Sequence, residues 1–144
     1  MSDGNDEDRR IRDILSRVST VALVGASPKP ERPSHRVMGF LLSKGYRVFP
    51  VNPGQAGKEI HGQTVYAGLN EIPEPIDMVD IFRASDAVPG VVDEALGLTR
   101  RPGVIWMQLA IVHEDAARRA QQAGIEVVMD RCPAIEYPRL IYAS

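Results

Sequence analysis

Five short β-branched or apolar runs set the strongest constraint on the fold: Thr20–Val24, Arg47–Val51, Met78–Phe82, Val104–Gln108 and Glu126–Met129. They recur at intervals of roughly 20 to 30 residues, which leaves room for a crossover helix each time, whereas antiparallel hairpins need much shorter connections. The runs are mostly continuous rather than alternating, the pattern of parallel strands covered on both faces. The expectation is an α/β protein: a doubly wound parallel sheet of about five strands in three α/β/α layers.

The intervening segments carry helical periodicity. Val37, Met38, Leu41 and Leu42 share a face ahead of Gly45, and Val88, Val91, Val92, Ala95 and Leu96 form a second stripe with Ser85 as its expected N-cap. Ala116, Ala117, Ala120 and Ala123 mark a third helix that stops at Gly124, and Ile11, Ile14, Leu15 and Val18 a short leading one. The Gly- and Pro-containing stretch 54–75 reads as a loop with a short strand or helical turn. Because parallel crossovers are right-handed, the five runs are expected in the order 3-2-1-4-5, with the topological switch between the first and the fourth. Ligands of such sheets bind at the carboxyl ends of the strands beside the switch.

A length of 144 residues suits one domain, expected over 10–144 after an acidic tail over 1–9. The tail lacks the features of a secretory signal, no run is long enough to span a membrane, and a single cysteine fits a reducing cytoplasm. The formal charge of −2 offers no general attraction to nucleic acid, so an anionic ligand must be held by local groups.

The carboxyl edge supplies such groups. The first run exits through Gly25, Ala26 and Ser27 into a loop with Pro28, Pro30 and Pro33, and a helix begins near His35. A tight turn, a hydroxyl and a helix start together form an anion site, to which Arg32, Ser34 and Arg36 add donors; the same turn also serves α/β proteins that bind no phosphate. The second run ends in Asn52, Pro53 and Gly54, by default a turn, whose side chain and amides are expected to point into the crevice. Phe82 and Arg83 end the third, suited to a base and a phosphate or, equally, to core packing and surface charge. Gln108 is a neutral polar group beside the switch, and Trp106 is read as packing.

Several chemistries lack their signatures. Gly-x-Gly-x-x-Gly is missing and Asn52 stands where a nicotinamide dinucleotide site wants a carboxylate, so an NAD(P) domain is the second reading. There is no P-loop and no nucleophile elbow, and His35, His61 and His113 are scattered as surface or capping residues without metal-ligand spacing. No residue is nominated as catalytic. Cys132 is either a small buried hydrophobe or a thiol able to exchange with a thiol ligand.

Taken in order, Val24-Gly25-Ala26-Ser27, Arg32-Pro33-Ser34, Pro50-Val51-Asn52-Pro53, Asp80-Ile81-Phe82-Arg83, Trp106-Met107-Gln108 and Val128-Met129-Asp130-Arg131-Cys132 resemble the small stand-alone CoA-binding proteins. These look like the amino-terminal domain of the succinyl-CoA synthetase α subunit. The resemblance implies a Rossmann-like domain that binds coenzyme A or an acyl-CoA, with Gly25, Ala26 and Ser27 at the phosphates, Asn52 and Pro53 beside the adenosine, and Phe82 and Arg83 lining the cleft. The lysine that follows the strand-two turn in the larger synthetases is not matched, since Gln55 stands nearby and Lys58 comes later. Their phosphorylated histidine lies in a further domain, so the expectation is a binding module without catalysis of its own, acting as carrier, sensor or partner subunit. A subunit of a split acyl-CoA ligase is the third reading, and a protein partner or a homo-oligomer is compatible with all three.

Overall fold

The computed structural model describes residues 3–142. Helix α1 (Asp3–Arg17) leads into β1 (Thr20–Val24), α2 (Pro33–Ser43) and β2 (Arg47–Val51); a small hairpin of β3 (Glu59–Ile60) and β4 (Gln63–Thr64) follows. Then come β5 (Met78–Ile81), α3 (Val88–Leu96), β6 (Val104–Met107), α4 (Glu114–Gln122), β7 (Glu126–Val128) and α5 (Pro133–Tyr137), which runs on into a π-helical turn over Pro138–Tyr142. All five expected runs are strands, the last three each one residue shorter at the carboxyl end. Residues 3–9, expected as a tail, form the first turns of α1, and Arg139 ion-pairs with Asp8 at 2.7 Å. Among the described residues no helix is long and apolar enough to cross a membrane.

The five long strands make one wholly parallel sheet in the order β2-β1-β5-β6-β7. This corrects the expected order: the runs stand 2-1-3-4-5, and the switch lies between β1 and β5. Two local facts account for it. Proline has no N–H for a second ladder, so Pro50 suits β2 to the edge rather than to an interior position. At the other side of β1, the Asp77 carboxylate accepts the N–H groups of Ser19 (2.8 Å) and Thr20 (3.1 Å), while the Asp77 N–H donates to Thr20 Oγ1 at 2.9 Å. That clip fixes the start of β5 beside the start of β1. The outer edge of β2 is partly covered by Tyr66, whose N–H donates to Pro50 O at 3.0 Å and whose carbonyl accepts from Asn52 N at 2.9 Å.

Two apolar cores fill the space between layers. Side chains of α1, α2 and α5 cover the face carrying Val21, Leu23, Met78 and Trp106. Helices α3 and α4, with Leu69 and Ile76 from the long connection, cover the face carrying Ala22, Val24, Val79 and Ile105. The small Ala116, Ala117 and Ala120 are buried and let α4 lie close to the sheet. His113 caps that helix, its Nδ1 accepting the Ala116 N–H at 3.1 Å. Ser85 does not cap α3: it sits in a 3-10 turn before the helix, and its hydroxyl accepts the Val112 N–H at 3.1 Å.

Because the Asp77 clip joins two strand starts through charge-assisted hydrogen bonds, Asp77→Ala is expected to cost about 2 kcal/mol. A lower urea midpoint with unchanged slope checks it.

Candidate functional site

Strand β1 leaves the sheet at Gly25, whose φ of 92° favours glycine. A Cβ there would meet the Phe82 carbonyl carbon at 3.2 Å, so the exits of β1 and β5 touch. The Gly25 and Ala26 N–H groups both donate to Val51 O, at 2.9 and 3.2 Å. Asn52 completes the seam: its Nδ2 donates to Ala26 O at 2.8 Å and its Oδ1 accepts the Gly54 N–H at 2.9 Å. Two expectations change accordingly. The Asn52 side chain binds the turns together instead of standing free in the crevice, and the amides of Gly25 and Ala26 are spent inside the fold. Ala26 itself is buried.

The donors left over lie one step further along. Ser27 Oγ accepts the Lys29 N–H at 3.2 Å, and Pro28, Pro30 and Pro33 have no N–H. The N–H groups of Ser27 and Ser34 make no hydrogen bond within the described residues. Arg32, extended at the N-cap of α2, and Arg83, after β5, are exposed guanidinium groups without a hydrogen-bond or ion-pair partner among the described residues. Arg36 is turned back, donating to Glu31 O at 2.7 Å.

These groups flank a cleft with two lobes, each of about 570 Å³, that share Gly25, Ser27, Arg32 and Phe82. The polar lobe adds Ala26, Asn52, Pro53, Gly54 and Arg83. The other lobe, between the starts of α2 and α5, adds Ser34 and Gln108 together with Val37, Leu109, Ile111 and Ile135. All ten residues singled out from the sequence therefore line one lobe or the other, and among the described residues no carboxylate lines either. Cys132 is buried at the wall of the second lobe. Two contacts hold α5 in place to form that wall: Trp106 Nε1 donates to Arg131 O at 2.8 Å, and Tyr137 packs edge-on against Phe40 at 5.7 Å.

Sequence reasoning missed two features. The apolar lobe depends on α5 returning across the sheet, which no local pattern announces. Asp80 is the other: it lies in β5 between Leu23 and Trp106, fully buried, with neither carboxylate oxygen hydrogen-bonded. A carboxylate inside an apolar run was the visible signal. Gln108, 5% exposed, likewise has an unpartnered Oε1. Burial pushes the Asp80 carboxyl well above the usual carboxylate range, so the neutral acid is the form that fits the core.

A parallel, doubly wound sheet with an arginine-flanked cleft at its switch defines a Rossmann-like α/β domain. The CoA binding domain family matches residues 19–138, and the chain belongs to that family. The protein YneT of Bacillus subtilis is 39% identical over 128 residues, covering 89% of this chain and 92% of its own. A hypothetical protein from Pyrococcus horikoshii superposes with a TM-score of 0.87 at 39% identity, over 93% of this chain and 92% of that one. The alpha subunit of an ADP-forming acetate–CoA ligase from Pyrococcus furiosus is 35% identical over 86 residues, which are 57% of this chain but only 19% of the subunit. The chain is thus a CoA-binding-family domain related to acyl-CoA ligase subunits.

Asp80 yields a pH test. A carboxyl raised in the folded state stabilises fully only below its unfolded value of about 3.9, and that contribution is lost as pH rises through the folded value. Asp80→Asn stays neutral throughout, so its stability relative to the natural protein is expected to rise as pH increases from about 4 toward neutrality. Urea midpoints of both proteins across that range check this, and a constant offset would show that Asp80 is not the titrating group.

Proposed function

We propose that the chain binds coenzyme A or an acyl-CoA in the two-lobed cleft and carries out no chemistry of its own. One observation carries this reading: two arginines without partners among the described residues, Arg32 and Arg83, flank a lobe that no described carboxylate lines, with the Ser27 N–H, unpaired within those residues, beside it and that of Ser34 on the adjoining lobe. Coenzyme A is a multiply charged nucleotide, and cations with unpaired amides at a helix start suit its phosphates. Within this reading Arg32 and Arg83 hold phosphate, the Ser27 turn receives the diphosphate, Asn52 and Pro53 shape the adenosine end, and Phe82 offers its ring to the nucleotide. Gly25 keeps the floor low, since a side chain there would crowd Phe82.

NAD is the weaker ligand on the same grounds, because Asn52 is engaged in the seam and no described carboxylate stands in the cleft for ribose hydroxyls. A role as one subunit of a split ligase draws support from the relation to a ligase alpha subunit of which the chain spans a fifth. Pull-down of a protein bearing the remaining ligase domains tests that role.

Titration calorimetry is expected to detect CoA but neither NAD nor ATP at comparable affinity. Arg83→Ala should weaken CoA about 10- to 100-fold, the scale of a lost charge-assisted contact. Ser27→Arg should abolish binding by filling the turn while the circular dichroism spectrum stays unchanged. Unaltered affinity in both variants would place the phosphates elsewhere.

A further inference from the structure

We propose that the physiological ligand is an acyl-CoA whose apolar acyl group occupies the lobe between α2 and α5; this rests on the CoA reading above and names the ligand class. The two lobes are matched in volume, and the second is the more apolar of the two. Ser27, Arg32, Ser34 and Arg36 stand at the α2 side of the second one, but Val37, Phe82, Leu109, Ile111, Ala134 and Ile135 make most of the rest of its lining, a composition suited to hydrocarbon.

Its rim is unusually apolar. Leu109 and Ile135, 49% and 50% exposed, are two of the four large hydrophobic side chains that stand exposed among the described residues, and both line this lobe. Exposed apolar groups gathered around a concavity mark a binding surface. In the loop that presents Leu109 and Ile111, Ala110 has φ 68°, and its N–H donates at 2.6 Å to the carboxylate of Asp130, which has φ 59° in the neighbouring turn after β7. A fold that only needed to close its sheet would hide these side chains. Here backbone strain accompanies their display.

The wall of the lobe also holds a buried, incompletely satisfied amide. Gln108 is nine-tenths buried with its carbonyl oxygen unpartnered, an acceptor that folding leaves unsatisfied. That oxygen is closed off from the lobe, so a pantetheine arm runs from the polar lobe past Ser27 and Phe82 without bonding to it. The thioester then lies at the mouth of the apolar lobe and its acyl chain inside.

The test is a titration series with CoA, acetyl-CoA, butyryl-CoA and hexanoyl-CoA. Affinity should rise about fourfold for each methylene buried. Leu109→Asp and Ile135→Asp, both at exposed positions, should flatten the series. Val112→Asp, at an exposed apolar position outside the lobe, should leave it steep. Equal affinity for CoA and hexanoyl-CoA would overturn the inference while leaving the CoA reading intact, as would a series flattened by Val112→Asp as strongly as by the other two. If no member of the series binds, the CoA reading itself falls.

Discussion

The pairing of β1 with β5 governs the molecule. It is set at one end by the Asp77 carboxylate gathering two backbone N–H groups, and at the other by Gly25 resting against the Phe82 backbone. Once β5 takes that side of β1, the chain has reversed its direction across the sheet. Crossovers on opposite faces then diverge above these two strands, and a cleft must open there. Val51 and Asn52 draw the end of β2 into the same seam, so the ends of three strands are tied by hydrogen bonds of 2.8 to 3.2 Å. The cleft has a floor of backbone, and its chemistry comes from what the following loops carry over it.

That chemistry divides. On the side of β2 the loops bring arginine, serine and asparagine; on the side of β6 and α5 they bring leucine, isoleucine and a buried amide. Phe82 stands between, touching both lobes, and half-packs against the core beneath. A ligand with a charged end and an apolar end matches this division better than a uniformly polar one. The chain's family is that of the CoA binding domain, and it is related to an acetate–CoA ligase subunit.

Much of this was legible in the residues. Continuous apolar runs gave the strands nearly to the residue, since both sheet faces are covered, and the stripes in α2, α3 and α4 named most of the buried positions, with Leu42, Leu96 and Ala123 only half-buried. The strand order was misread because the handedness of crossovers limits the choices without selecting one. Pro50 held the missing information: a proline inside a run points to an edge. In sequence Asn52 reads as pointing its side chain into the crevice, whereas it bonds to Ala26 O, since whether an amide side chain meets backbone depends on a neighbouring turn 26 residues away in the chain. Leu109, Ile111 and Ile135 look like ordinary core residues in sequence, and only the packing of α5 against α2 turns them toward a cavity.

Two prolines between β1 and α2, and a third that opens α2, bear on how fast the proposed ligand would be captured. With Pro28, Pro30 and Pro33 fixing φ, and Asn52 fastening the turn below, little chain freedom remains to be surrendered on docking. On the proposed CoA reading, the mouth is a stiffened socket and not a flap that must close, so encounter by diffusion is expected to set the pace of loading.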